Sequence, residues 1–257
     1  MQNKYELFIR KWINGIQAEL EYWEQYIATK GYGKTEEYDQ YTAKERPFIL
    51  EDDLWLPETD FIDVGSGPFS ICGTRTKKTN LHFMAVDMMA PIYQSIKFQY
   101  GLTTEIEPKF AIMECLSEQF GYESFDIVHI SNALDHTFDP ISTIEQLLAI
   151  CRVGGKVILQ HHQNEAEAAH YNGLHQWNCT LQKGKFEIWN NVLCIDVAEK
   201  LGDAVDIYLE RHAPMDKVIL TKKKYYSPQK NPYRYLFEFA IVQELQKRII
   251  EDYYRKK

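Results

Sequence analysis

From residue 60 onward, short apolar runs alternate with stretches of helical length, and this alternation limits the chain to an α/β architecture. The runs are 60–64 (DFIDV), 81–86 (LHFMAV), 109–113, 125–130 (FDIVHI) and 156–160 (KVILQ), each of strand length. Connections as long as those between them lay successive strands side by side in one direction, which predicts a mainly parallel sheet. Residues 141–151 read as an amphipathic helix that Gly154-Gly155 is expected to stop. Segments 204–211 and 217–222 flank Ala213-Pro214-Met215-Asp216, a turn that would make them an antiparallel hairpin.

Ahead of this core, Leu7, Ile9, Trp12, Ile13, Ile16, Leu20, Trp23 and Ile27 recur mostly at three- and four-residue steps, so residues 3–30 read as a helix ended by Gly31-Tyr32-Gly33. A polar, Tyr-rich stretch (34–46) follows, and residues 232–256 read as a last helix. There is no internal repeat. The expected organisation is one domain over 1–257: an N-terminal helical cap (1–59), a catalytic core (60–222) with a lid at 163–190, and a C-terminal helix (223–257).

Composition narrows the partners. With 29 Lys+Arg against 37 Asp+Glu the net charge is −8, so no global positive field is available to hold a nucleic-acid backbone. The run Lys222-Lys223-Lys224 reads as a solvated face. The five cysteines, Cys72, Cys115, Cys151, Cys179 and Cys194, lie far apart without a C-x-x-C pair, as expected of reduced thiols in the cytoplasm. No apolar run has spanning length and the first residues lack a signal-peptide core, so no membrane association is expected.

The strongest local signal is Asp63-Val64-Gly65-Ser66-Gly67-Pro68, placed directly after a strand. Glycines let the backbone turn tightly against a ligand, and the N-terminus of a following helix would offer unpaired N–H groups. The third glycine of a dinucleotide fingerprint is missing, because position 70 is Ser. Asp87 ends the next strand, where a carboxylate accepts hydrogen bonds from ribose hydroxyls. A nucleoside ligand carrying positive charge suits a loop preceded by the Asp63 carboxylate better than a diphosphate does.

FIDVGSGP, then HFMAVD, ESFDIVHISNALDH and LLAICRVGGKVIL, together resemble the class I S-adenosylmethionine-dependent methyltransferases over roughly residues 60–222. The resemblance implies a Rossmann-like fold: a mainly parallel seven-stranded sheet with a C-terminal antiparallel hairpin and helices on both faces. It implies S-adenosyl-L-methionine as cofactor and S-adenosyl-L-homocysteine as product. Carried over, Asp63, Gly65, Ser66 and Gly67 line the methionine part and Asp87 holds the ribose. Met88 lies beside the adenine, Glu114 and Cys115 contact its amine, and Ser131 and Asn132 supply contacts from the end of strand four. Tyr26 and Arg46 lie in the segment that often closes over the cofactor carboxylate.

Acceptor-facing residues should leave the carboxyl ends of strands four and five. Strand four exits into Ser131-Asn132-Ala133-Leu134-Asp135-His136, and strand five into His161-His162-Gln163-Asn164-Glu165. The 163–190 insertion is polar and aromatic, and Asp135, Asn164, Glu165, Tyr171, His175, Gln176 and Trp177 are candidate acceptor contacts. NEAEAAHYNGLHQWN resembles a stretch of bacterial methyltransferases encoded with surface-polysaccharide and sugar-modifying enzymes, which implies a small sugar-like acceptor. A hydroxyl acceptor needs a base that titrates near neutrality, and His136, His161 and His162 are the candidates. Adjacent strand residues face opposite ways, so no more than one of His161 and His162 should reach the acceptor; for the same reason they make poor metal co-ligands, and no metal is expected. Methylation of a lipid-like or secondary-metabolite acceptor, or of a phosphorylated or phosphoramidate precursor, is a competing reading. A cofactor-binding subunit without turnover is another, and a homodimer is left open.

Overall fold

The computed structural model describes residues 4–211, 214–228 and 234–255. Helices α1 (Lys4–Ala28) and α2 (Thr35–Thr42) precede strand β1 (Glu58–Val64). Then come β2 (Asn80–Asp87), α3 (Ala90–Gln99), β3 (Lys109–Phe110), α4 (Leu116–Phe120), β4 (Phe125–Ser131), α5 (Pro140–Ile150) and β5 (Cys151–His161). The rest comprises α6 (Glu165–Ala168), β6 (Asn178–Gln182), β7 (Lys185–Trp189), β8 (Cys194–Asp196), α7 (Val197–Leu201), β9 (Val205–Glu210), β10 (Asp216–Lys222) and α8 (Arg234–Arg255). Parts of two expected elements, the turn at 213–216 and the ends of the 232–256 helix, fall outside the described residues.

Seven strands form one sheet in the order β3-β2-β1-β4-β5-β10-β9, parallel except for β10, which runs antiparallel to both neighbours. This is the Rossmann-like α/β arrangement with a reversed last strand. The chain winds outward from β1 in one direction and from β4 in the other, so a crevice opens where β1 and β4 part.

Side-chain alternation decides what each face buries. Ile62, Val64, Val128, Ile130, Val157 and Leu159 pack with Ile144, Leu147 and Leu148 of α5 and with Cys179, Leu181, Phe186 and Ile188 of the insertion. Each fully buried aliphatic side chain contributes about 1.5–3 kcal/mol. Phe61, Ile127, Ile158 and Ile219 form a different cluster with Phe48, Leu50 and Cys72, so coil segments rather than a helix cover these central strands there. A further cluster joins α1, α3 and α8 through Trp12, Ile16, Tyr93, Ile96, Ile241 and Leu245.

The structure departs from the sequence reading in several places. Helix α5 stops at Ile150, and Gly154 and Gly155 lie inside β5. A Cβ on Gly155 would sit 2.6 Å from the Asp126 carbonyl oxygen, so glycine there serves a close approach of β4, beside its register shift, and not a helix end. Residues 65–79 join β1 to β2 without any helix, because Pro68, three glycines and several threonines in that stretch disfavour one. The 163–190 insertion is no simple flap: its β6 and β7 form a hairpin that turns at Lys183 (φ 51°) and Gly184 (φ 74°), and β8, just beyond the expected boundary, completes a three-stranded antiparallel sheet. Finally, the Tyr-rich stretch contains α2, with Glu36 and Glu37 in its first turn. Among the described residues no helix is long and apolar enough to cross a membrane.

Candidate active site

A cavity of about 620 Å³ lies beyond the carboxyl ends of β1, β2 and β4. Its floor is Gly65, Ser66 and Gly67 after β1, Asp87 and Met88 at the end of β2, and Ser131 and Asn132 at the end of β4. Helix α1 supplies one wall with Trp12, Glu19, Tyr22, Trp23 and Tyr26, and the insertion another with Glu165, Asn172 and His175. The two walls meet so tightly that a Cβ on Gly15 would lie 2.6 Å from the Gly173 backbone.

The loop geometry follows from its bonds. Gly65 (φ 68°) and Gly67 (φ 65°) adopt conformations that favour glycine. Asp87 Oδ2 accepts from the Gly67 amide at 2.9 Å and Oδ1 from the Met89 amide at 2.8 Å, so this carboxylate organises the loop while facing the cavity. Burial pushes its pKa up to about 6, against which the two amides pull. Trp23 meets Phe69 and Tyr93 edge-on, with ring centroids 5.5 and 6.3 Å away, and donates to Glu19 at 2.7 Å. The Tyr26 hydroxyl is buried without a hydrogen-bond partner on the cavity wall, and burial raises its pKa to about 12, so it stands as a donor.

Several residues singled out from sequence lie off the cavity wall. Asp63 stands opposite His129 of β4 across the sheet, and His129 in turn meets the Gln160 side chain of β5. Its carboxylate accepts from Ser70 Oγ at 2.5 Å and meets His129 Nδ1 at 2.7 Å, so it fastens the loop from within the protein. Arg46 donates to the carbonyls of Ser70 (2.6 Å), Ile71 (3.2 Å) and Cys72 (3.1 Å), a clasp on the helix-free crossover rather than a carboxylate grip. Glu114 is buried and accepts from the Phe138 amide at 2.9 Å, with its pKa pushed up to about 7 by burial, and Cys115 donates to Glu238. Met113, next to them in sequence, takes their place on the wall.

On the acceptor side, Asn164 accepts from Thr180, Tyr171 from Asn178 and Gln176 donates to the Gly173 carbonyl, so these three hold the insertion together, while Trp177 donates to the Thr137 carbonyl and ties it to the loop after β4. His161 is 5% exposed and lies against a separate void of about 10 Å³ with Cys179 and Phe186. Burial pushes its pKa down to about 4, as for a neutral packing imidazole. His136, His162, Glu165 and His175 do line the cavity. Asp135, buried behind them, keeps a low pKa: burial works against its charge, but His136 and the hydrogen bond from His175 outweigh it. Of the α1 wall the sequence reading named Tyr26 alone; Trp12, Glu19, Tyr22 and Trp23 escaped it, because on an amphipathic helix rich in both charged and aromatic residues nothing local marks which ones face a ligand.

Replacing Arg46 by Ala is therefore expected to lower the melting temperature. Three carbonyls lose a charged donor worth about 1.5–3 kcal/mol in total, while nucleoside affinity of the folded protein should change less than about threefold, both readable by calorimetry. A large affinity loss at unchanged melting temperature would instead put Arg46 on the ligand.

Scans against protein-family models and against curated proteins find no match. Solved structures offer likenesses at low identity. A protein of Methanococcus maripaludis, provisionally named an S-adenosyl-L-methionine-dependent methyltransferase, is 14% identical with a TM-score of 0.48, covering 76% of this chain and 94% of its own. A SAM-dependent methyltransferase of Aquifex aeolicus is 11% identical with a TM-score of 0.41, covering 67% and 86%. At these values the reading of the site rests on this chain's own residues.

Proposed function

We propose that the chain is an S-adenosylmethionine-dependent methyltransferase that methylates a hydroxyl of a small, sugar-like acceptor of the kind built into surface polysaccharides. The observation that carries this reading is the charge of the cavity wall. Glu19, Glu37, Asp87 and Glu165 line it among many aromatic rings, and no Lys or Arg is among the described lining residues. Such a wall attracts a cation and repels phosphate. The helix-free crossover after β1 adds to this, because without a helix N-terminus there the loop lacks the usual means of holding a diphosphate. Phosphorylated acceptors are disfavoured on the same grounds.

The residues present fit the cofactor. Asp87 would take the ribose hydroxyls, Gly65, Ser66 and Gly67 would let the ligand approach the backbone, and the orphaned Tyr26 hydroxyl would meet the amino-acid end. When bound, the sulfonium supplies a methyl group activated for transfer, so the protein's task is positioning and proton removal. His162 suits the second task. Its Nδ1 lies 3.0 Å from the Pro214 carbonyl oxygen, which can only accept, so in the neutral ring Nδ1 carries the hydrogen and Nε2 the lone pair. Asn132, Asn172 and Glu165 offer hydrogen-bond partners to the remaining hydroxyls.

The test incubates the protein with methyl-labelled S-adenosylmethionine and a panel of nucleotide sugars, polyols, sugar phosphates and amines. Label is expected in the hydroxyl-bearing acceptors without phosphate, with S-adenosylhomocysteine bound at micromolar affinity. Absence of nucleoside binding would end the reading, and label confined to amines, sugar phosphates or nucleotide sugars would refute the acceptor class.

A further inference from the structure

Three donor atoms converge where the loop after β4 meets the insertion. Asp135 Oδ2 lies 2.7 Å from His175 Nδ1 and 3.5 Å from His136 Nε2, and the two ring nitrogens are 3.1 Å apart. Ligands about 2.0–2.2 Å from one divalent ion stand roughly 2.9–3.5 Å from each other at octahedral to tetrahedral angles. The triangle matches such a ligand face with one edge slightly contracted.

Hydrogen bonding alone serves these atoms poorly. His175 Nδ1 carries at most one hydrogen, which cannot satisfy both Asp135 Oδ2 and His136 Nε2. Asp135 is 2% exposed, and its other oxygen, Oδ1, is buried with no hydrogen-bond partner. A buried carboxylate left in that state is costly unless further positive charge compensates it. Glu165 Oε2, 3.9 Å from His175 Nδ1, stands close enough to join with a small side-chain movement.

The geometry points to a binding site for a divalent first-row transition-metal ion, with Asp135, His136 and His175 as its ligands. Two imidazoles and one carboxylate on a single face suit Mn²⁺, Fe²⁺, Co²⁺ or Zn²⁺ and leave the remaining positions open. His136 and His175 line the cavity, so those positions are reached from it. Only the ion's role rests on the methyltransferase reading: it would hold an acceptor with two neighbouring oxygens, such as a vicinal diol, and lower the pKa of the one that reacts. The adjacent pair His161 and His162 takes no part, since His161 packs apart and His162 bonds to Pro214, whereas the converging donors come from two separate segments.

Chelator-treated protein is titrated with Co²⁺ alone, followed by visible d–d absorption and by elemental analysis after desalting. The wild type is expected to take up one equivalent, and His136→Ala and His175→Gln to lose at least ~100-fold in affinity while keeping their circular dichroism and melting curves. Asp135→Asn should behave alike; because Asp135 is buried and this variant can misfold, the partly exposed His175 decides. No Co²⁺ uptake by the wild type, or uptake unchanged in both histidine variants, overturns the site. S-adenosylhomocysteine titrated into the same metal-free protein separates the two readings. Nucleoside binding without Co²⁺ uptake overturns the metal site alone, and Co²⁺ uptake without nucleoside binding supports the site while ending the methyltransferase reading.

Discussion

Replacing Asp87 by Asn is expected to weaken S-adenosylhomocysteine binding by about 1.5–3 kcal/mol, roughly ten- to a hundredfold, the scale of hydrogen bonds to a charged acceptor. The effect is large because Asp87 acts twice, fixing the glycine loop through the Gly67 amide and facing the cavity where the ribose would lie. Its titration supplies a second signature. Burial raises the free protein's Asp87 pKa to about 6, so below that pH the carboxyl is protonated and a ligand that needs the carboxylate must displace the proton. Affinity should therefore hold above pH 7 and fall by about tenfold between pH 7.5 and pH 5, a slope set by one proton per site. Glu19 from α1 and His136 from the loop after β4 also act on this carboxyl, and the Asn variant separates them. Its pH dependence should be flat. Calorimetry giving wild-type affinity for Asp87→Asn, or the same acid slope in both proteins, would remove Asp87 from the ligand.

The second large effect is expected at His162. Exchange for Gln, which keeps polarity but cannot take up a proton, should reduce turnover about 10²–10⁴-fold, the usual range for a lost general base. Nucleoside affinity should stay within about twofold, since the Asp87 and glycine-loop contacts are untouched. His161→Gln provides the contrast: His161 is packed beside Cys179 and Phe186, away from the cavity, so its loss should lower the melting temperature and leave the turnover of folded molecules near that of the wild type. If His162→Gln turns over at the wild-type rate, the proton leaves by another route, and the corner formed by Asp135, His136 and His175 becomes the place to look.

How far the site could be read in advance differs residue by residue. Gly65, Ser66, Gly67 and Asp87 are legible from their positions at strand ends, Met88, Ser131 and Asn132 through the family resemblance, and all seven line the cavity. Strand ends are legible because the period-two pattern locates each strand and the parallel topology sends every carboxyl end to one edge. Asp63 illustrates the limit. It belongs to the same motif, yet strand alternation puts it on the face opposite buried Ile62 and Val64 and turns it toward His129 and Ser70. Which face the loop would cover was not written in the motif. The insertion was legible as polar and long, but polar composition does not say whether amides point at a ligand or at each other. Here Asn164, Gln176 and Asn178 spend their hydrogen bonds inside the insertion.

By itself the sequence determined the α/β class, the strand positions in the core, the reversed hairpin and the floor of the cavity, because these depend on local periodicity and on short-range turn chemistry. The tertiary structure alone decided that Glu19 and Trp23 of α1 join Tyr26 in closing the cavity, and that the β1–β2 crossover is held by Arg46 in place of a helix. It also decided that Asp135 and His136 meet His175. Contacts between residues far apart along the chain depend on how faces pack and on which buried polar groups can satisfy one another, and no window of sequence contains both partners.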